Sequence, residues 1–402
     1  MPIPCINLLD YDYELPLEKI ASRPLENRDE SQLLFYNAGD IQIKTFKQLP
    51  ELLPPKCLLV LNNTKVLPAR FLFPTSGKRP VEVFCLEPVG SDFQTALLSK
   101  EPVIWKVLIG NAKKWKRGQA LRLSKENLEL TVTYEAQSDG NFFVKLAWRP
   151  EATLYEVFQQ LGNVPLPPYI KRQVEAIDAE RYQTVYASVL GSVAAPTAGL
   201  HFTQNALSAL AQRNILTDTI TLHIGAGTFL PITASDLQNH TMHSEYFWVR
   251  KSTIENMLYS SRPIIAVGTT VMRTLESLYQ IGKQLETEEL EPGAITVSQW
   301  QAYQTDKQIS QEAALSNLLK WIEKNQTNGI GGQTYLLIAP GYHFGICKGL
   351  ITNFHQPKST LLLLIAAFIG TAWKSVYECA LENHFRFLSY GDSSLLIPRQ
   401  LL

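Results

Sequence analysis

Residues Ile264 to Tyr279 read IIAVGTTVMRTLESLY. A short apolar run, a Gly-Thr-Thr turn and then apolar positions at Val271, Leu275 and Leu278 predict a buried strand, a tight polar loop and an amphipathic helix. The same strand-then-loop pattern recurs on either side. Tyr335 to Ala339 leads into Pro340-Gly341-Tyr342, and Leu350 to Asn353 leads into Phe354-His355-Gln356-Pro357-Lys358-Ser359-Thr360 and an apolar helix. Earlier in the chain, Cys57 to Leu61 (CLLVL) reads as a fully buried strand closed by Asn62, Asn63 and Thr64, and Ile215 to Leu222 as another strand. Strands alternating with helices predict an α/β (α+β) main domain. In such sheets ligands bind beyond the carboxyl ends of the strands, where these polar loops fall.

Two stretches poor in side-chain bulk flank a helix that Thr203 can cap and that runs to about Arg213. One is GSVAAPTAGLHF (Gly191 to Phe202), carrying Ser192, Thr197 and His201. The other is TLHIGAGTF (Thr221 to Phe229), carrying His223 and Thr228. Glycine and alanine let backbone approach a ligand closely. The second stretch is not a dinucleotide fingerprint, because Leu230 stands where the third glycine belongs. No G-K-[ST] follows a glycine run, and Gly191-Ser192-Val193 does not supply a nucleophile elbow. His240, His243 and Glu245, with His223, lack a third strong ligand at helical spacing, so no metal is expected.

Between Val66 and Trp148 the texture changes to short alternating runs: Arg70 to Phe73, Val81 to Leu86, Thr95 to Leu98, Trp105 to Ile109, Ala120 to Leu123, Leu128 to Tyr134 and Phe142 to Ala147. That spacing predicts a small antiparallel β-barrel inserted at 62–149, with the main catalytic domain formed by 1–61 and 150–402. The insert is basic at Lys113, Lys114, Lys116 and Arg117, interleaved with Trp105 and Trp115. Such a pattern suits either phosphate contact with base stacking or a solvated face. Helices are predicted at Thr153 to Leu161 and Ala179 to Ala187. Arg28, Asp29 and Ser31 read as a surface turn with a weak local ion pair.

The 402 residues carry 37 Lys plus Arg against 37 Asp plus Glu, a formal charge of +0. This excludes a uniformly basic nucleic-acid-coating protein and leaves room for a local patch. Five scattered cysteines without a C-x-x-C pair suggest buried free thiols in a reducing compartment. The start, MPIPCINLLDYDYELP, lacks the charge and apolar run of a signal peptide, and Leu361 to Ile369 is too short to span a bilayer. The expectation is a cytoplasmic protein, monomeric and without membrane partners.

Polar residues at the loop ends include His201, Thr228, Glu245, Arg273, Glu276, Asn353, His355, Lys358, Ser359 and Asp392, with Phe229, Tyr342, Phe344, Phe354 and Tyr390 as π faces. Such a set suits a small zwitterionic substrate bearing an aromatic group. At these residues the chain resembles the S-adenosylmethionine:tRNA ribosyltransferase-isomerase family of queuosine biosynthesis. The resemblance is carried by RPLENRDESQLL (Arg23 to Leu34), LLVLNNTKVLPAR (Leu58 to Arg70), PLPPYIKR (Pro165 to Arg172), GSVAAPTAGLHFT (Gly191 to Thr203), TLHIGAGTFLPI (Thr221 to Ile232), HTMHSE (His240 to Glu245), AVGTTVMRTLES (Ala266 to Ser277), APGYHF (Ala339 to Phe344), LITNFHQPKSTLLLL (Leu350 to Leu364) and FRFLSYGDSSLLI (Phe385 to Ile397). These segments run from one end of the chain to the other in the family's order.

The resemblance implies an enzyme that consumes S-adenosylmethionine as ribosyl donor. It would transfer and isomerise that sugar onto the aminomethyl group of 7-aminomethyl-7-deazaguanine at the tRNA wobble position. The product is epoxyqueuosine-tRNA, with adenine and methionine released and no metal implied. On that reading His201, His223, His243, Glu245 and His355 form the pool for proton transfers. Arg273 or Lys358, with the Ser359/Thr360 helix start, would hold the methionine carboxylate. Ser192, Thr197, Thr228 and Asn353 would contact ribose or purine. Lys113, Lys114, Lys116, Arg117, Lys171 and Arg172 would meet tRNA. A nucleoside hydrolase and a nucleic-acid-binding module without this activity are the rival readings.

Overall fold

The computed structural model describes residues 6–75, 79–138, 141–149, 151–225, 237–304 and 307–399. Ten strands form one mixed sheet in the order Thr296–Val297, Gly329–Thr334, Glu245–Arg250, Leu216–His223, Leu58–Asn62, Ile264–Val267, Cys347–Asn353, Ser393–Ile397, Gln32–Asn37, Asp40–Thr45. The four strands from Leu216–His223 to Cys347–Asn353 are mutually parallel. From Leu58–Asn62, the chain's first strand of this group, later strands are added on both sides. That reversal is where open α/β sheets form ligand crevices.

Parallel strands buried on both faces read as unbroken apolar runs, and the central strand shows why. Leu58 and Val60 join the core on one face, with Val271, Leu275 and Leu278 of the helix Thr269–Gln284. Leu59 and Leu61 join the core on the other face, with Phe46, Phe202 and Leu210. Side chains alternate across a strand, so each successive residue feeds the opposite layer. The helix Thr269–Gln284 is buried along nearly its whole length, against the sheet and the helix Gln311–Lys324. Its N-cap, Gly268, has φ of +103°, a conformation that only glycine adopts without strain.

Six antiparallel strands form a second sheet in the order Arg70–Phe73, Val81–Pro88, Val103–Gly110, Asn141–Arg149, Leu128–Ser138, Ala120–Lys125. Its first and last strands come into contact, so the sheet curls into a nearly closed barrel. Phe71, Val83, Trp105, Leu130 and Val144 fill it together with Phe158 of the helix Leu154–Leu161. Thr64–Val66 pairs with Val189–Ser192 and ties the barrel's entry to the main sheet.

Several sequence expectations change. Thr95 to Leu98 is no strand: Phe93–Leu98 is a helix capped by Asp92, which accepts from the Thr95 amide at 3.0 Å. Tyr335 to Ala339 is extended but outside the ladder, and the strand is the preceding Gly329–Thr334. Only Asp178–Arg181 of the expected helix to Ala187 is helical. Beyond it the Gln183 side-chain amide exchanges two hydrogen bonds with the Val66 backbone (2.7 and 3.0 Å), and the chain bends and turns, with the Ala187 amide bonded to the Thr184 carbonyl. The Thr360–Ile369 helix is capped by Ser359 and ends at Gly370, with φ of +61°. By length and composition the longer stretch Thr360–Glu382 is apolar enough to cross a membrane, but here Leu362–Ala366 are core residues.

Candidate active site

A cavity opens where the four parallel strands end. Thr352 and Asn353 finish one strand, Gly268-Thr269-Thr270 follow another, and Ile224 follows a third. Thr197 and Ala198 enter from the Gly191 to Phe202 stretch, and His355, Gln356 and Ser359 from the loop before the apolar helix. Tyr169 and Ser389 close the wall, joined by a 2.6 Å hydrogen bond between their hydroxyls. No charged side chain lines this cavity among the described residues.

Asn353 is 3% exposed, and its amide nitrogen lies 3.2 Å from His201 Nε2, 3.1 Å from the Leu388 carbonyl and 3.4 Å from the Asp392 carbonyl. Its Oδ1 has no hydrogen-bond partner. A buried amide oxygen left bare costs stability unless a ligand donates to it. His355 is held by its backbone, through the Tyr13 hydroxyl donating to its carbonyl and its own N–H donating to the Tyr377 hydroxyl. Its Nε2 meets Thr352 Oγ1 at 2.9 Å, and burial lowers its pKa to about 3. His355 is therefore neutral at pH 7.

Beside this cavity, and sharing Thr269, Thr270 and Leu361 with it, lies a small chamber lined also by Arg273 and Thr360. Arg273 makes a direct ion pair with Glu245, both almost wholly buried. Burial lowers the guanidinium to about 10, still charged at neutral pH, and its Nε has no acceptor. His243 Nε2 stands 3.7 Å from the other Glu245 oxygen. Burial first, then the Arg273 charge, lower His243 to about 3.

The remaining expected residues fall elsewhere. His201 lies one hydrogen bond behind Asn353, with Nδ1 2.8 Å from Ser31 Oγ, its ring stacked on Phe46 and its pKa lowered to about 3, first by burial. His223 is sandwiched between Phe93 and Tyr246, toward the barrel, and burial lowers it to about 4. Ser192 is fully buried; its hydroxyl donates to the Ala194 carbonyl at 2.7 Å and accepts from the Ile224 amide at 3.2 Å, so it shapes the loop from behind. Lys358 pairs with Asp12 at 2.9 Å on the surface, and Ser359 is engaged as a helix cap. Thr228 and Phe229 lie outside the described residues.

Glu276 is structural. Its carboxylate accepts from the amides of Gly345, Ile346 and Cys347 and from the Tyr342 hydroxyl. Tyr342 and Phe344 pack edge to face in the core. Asp392 accepts from the Gln32 and Arg386 amides, and burial raises its pKa. Lys113, Lys114, Lys116 and Arg117 are exposed on the barrel, but Trp105 and Trp115 are core residues and offer no stacking surface. Lys171 is exposed, while Arg172 is forked onto the buried Asp178 by two 2.7 Å bonds. Among the described residues no group of three His, Cys, Asp or Glu side chains could hold a metal ion.

The cavity also uses residues the sequence did not single out as a site: Thr269, Thr270, Tyr169, Gln356 and Ser389. Each sits inside a segment that carries the family resemblance, which was the available signal.

A model of the family described as queuosine biosynthesis protein matches residues 8–396. The chain belongs to that family. It is 36% identical over 398 residues to an S-adenosylmethionine:tRNA ribosyltransferase-isomerase of Desulfitobacterium hafniense, covering 98% of this chain and 100% of the relative. Proteins of the same description from Halothermothrix orenii (37% identity, 96% and 99% coverage) and Thermosynechococcus vestitus (37%, 99% and 98%) align as fully. A crystal structure of the S-adenosylmethionine tRNA ribosyltransferase of Thermotoga maritima is 25% identical, covers 96% of this chain and 100% of its own, and has a TM-score of 0.46. In this queuosine biosynthesis family member, the strand-end cavity is built from the segments that carry the resemblance.

Proposed function

We propose that this chain transfers and isomerises the ribosyl moiety of S-adenosylmethionine onto the aminomethyl group of 7-aminomethyl-7-deazaguanine in tRNA, releasing adenine and methionine. The whole-length relationship to ribosyltransferase-isomerases carries the reading. The neutral cavity with the unpartnered Asn353 Oδ1 fits an uncharged nucleoside with N–H and O–H groups to donate.

The sulfonium of the donor acidifies the neighbouring 5′ hydrogens, so removing one starts the expulsion of adenine, and the RNA amine then attacks the unsaturated sugar. His355 is the one member of the proposed proton-transfer pool that lines the cavity. Kept neutral by burial, it has a free lone pair for a proton leaving carbon and can return that proton to the purine. His201 acts through Asn353, whose amide it orients. Thr197, Thr269 and Thr270 would take ribose or purine edges. Arg273, which lines the adjoining chamber while paired to Glu245, would meet the methionine carboxylate. Lys358 is engaged at the surface and Ser192 within the loop, so neither takes a substrate role here.

Labelled S-adenosylmethionine incubated with tRNA bearing the precursor base is the test. Adenine released only when both are present supports the transferase. Release without tRNA makes the protein a hydrolase, and binding without release makes it a binding module.

A further inference from the structure

A third cavity, next to the central one, has walls that include Arg28, Arg181, Arg386, His201, Ser31 and Tyr390. Among the described residues no carboxylate lines it. Arg28 donates to the carbonyls of Gln183 (2.6 Å), Glu180 (2.9 Å) and Leu200 (3.3 Å), and Arg181 to those of Leu25 (2.7 Å) and Glu26 (2.9 Å). Carbonyls fix a guanidinium in place but leave its charge uncancelled. Arg172 and Arg23 differ, because each is forked onto a carboxylate. Arg386 reaches its carboxylate, Asp392, only at 3.6 Å. The Arg181 Nε has no acceptor at all.

Three arginines line this cavity, with Glu180 acting on Arg28 and Asp392 3.6 Å from Arg386. Arg28 has its pKa lowered first by burial and then by Arg181, and after burial the largest influence lowering His201 is Arg386. Arg28 and Arg181 also line a second cleft, together with Glu26, Asp29, Glu180 and Lys47. The arginine cavity adjoins the central one: Ser389 lines both, and Asn353 in the first touches His201 in the second.

We propose that the cavity of Arg28, Arg181 and Arg386 seats a backbone phosphate of the RNA, at or beside the nucleotide whose base enters the central cavity. This rests on the transferase reading above. The chemistry is that of guanidinium forks around a phosphate, which direct the strand toward the reacting sugar. The exposed barrel lysines would then supply only general attraction.

The test uses the full chain and an anticodon stem-loop RNA, with binding followed against salt. Arg386→Gln should weaken RNA binding about ten-fold and flatten the plot of log affinity against log salt by about 0.7 to 0.9, one phosphate contact. S-adenosylmethionine affinity should stay as in the unmodified protein, and Arg386→Lys should restore most of the salt slope. An RNA carrying a single uncharged methylphosphonate beside the wobble nucleotide should lose the same factor on the unmodified protein and nothing further on Arg386→Gln. That RNA arm reads the contact even if the variant folds poorly. Unchanged RNA affinity in both arms overturns the proposal, and so does a fall in S-adenosylmethionine affinity in place of RNA affinity. All these readouts are of binding, so the absence of RNA-dependent adenine release from the unmodified protein would fail the transferase reading separately.

Discussion

The central cavity and the Arg273–Glu245 chamber share a wall of two threonines, yet they are built on opposite principles. The first is neutral, and its Asn353 carbonyl oxygen lacks a partner. The second is mostly apolar and carries one charge, Arg273, which is paired to Glu245. Where charge is compensated inside the protein, removing one member damages the fold first. Where polar atoms are left open, removal damages ligand binding first. The barrel is a third case, with charges in solvent that matter only through long-range attraction.

The largest effect separating these regions is expected from Arg273→Met. It leaves Glu245 buried without a countercharge and should cost about 3–5 kcal/mol in urea unfolding. The double variant Glu245→Leu with Arg273→Met should recover more than half of that. If the single variant unfolds like the unmodified protein, the pair is not committed as described.

Next in size is the response to acid. His201 and His355 have folded pKa values of about 3 against an ordinary value of 6.5. Below pH 6.5 the unfolded chain binds protons that the folded one refuses, so stability falls as pH drops from 6.5 toward 3. At pH 5 the loss should be on the order of 2 kcal/mol for each histidine. Urea midpoints measured between pH 7 and 5 should show this slope, and His201→Gln should reduce it.

Thr270→Val sharpens the contrast from the open side. Thr270 lines the central cavity, so unfolding should change by no more than about 0.5 kcal/mol while S-adenosylmethionine binding weakens a few-fold, read by equilibrium dialysis. The smallest effect belongs to the barrel. Replacing Lys113, Lys114, Lys116 and Arg117 together by alanine should leave stability within about 0.5 kcal/mol and S-adenosylmethionine affinity unchanged, while lowering RNA affinity at low salt only.

What could be read without coordinates follows from what is local. The buried run Leu58–Asn62, the Thr203 cap and the Gly268-Thr269-Thr270 turn are encoded within a few residues, and they place the cavity at the strand ends. The barrel was legible from its alternation except at Phe93–Leu98, where the Asp92 cap outweighs a pattern too short to decide. Partners distant in sequence were not legible. Arg28 looked like half of a weak surface pair, yet it holds carbonyls more than 150 positions away. Ser192 was expected to contact substrate, yet the Ile224 amide claims its hydroxyl. His201 and His223 share a sequence texture with His355, but only long-range packing decides that His355 alone of the three lines the central cavity.

The account stands on chemistry occurring in the central cavity, and the most direct measurement is single-turnover adenine release by His355→Ala with saturating S-adenosylmethionine and precursor-bearing tRNA. With the fold intact by urea unfolding at pH 7, release should slow by about a hundred-fold or more. Release at the unmodified rate would contradict it.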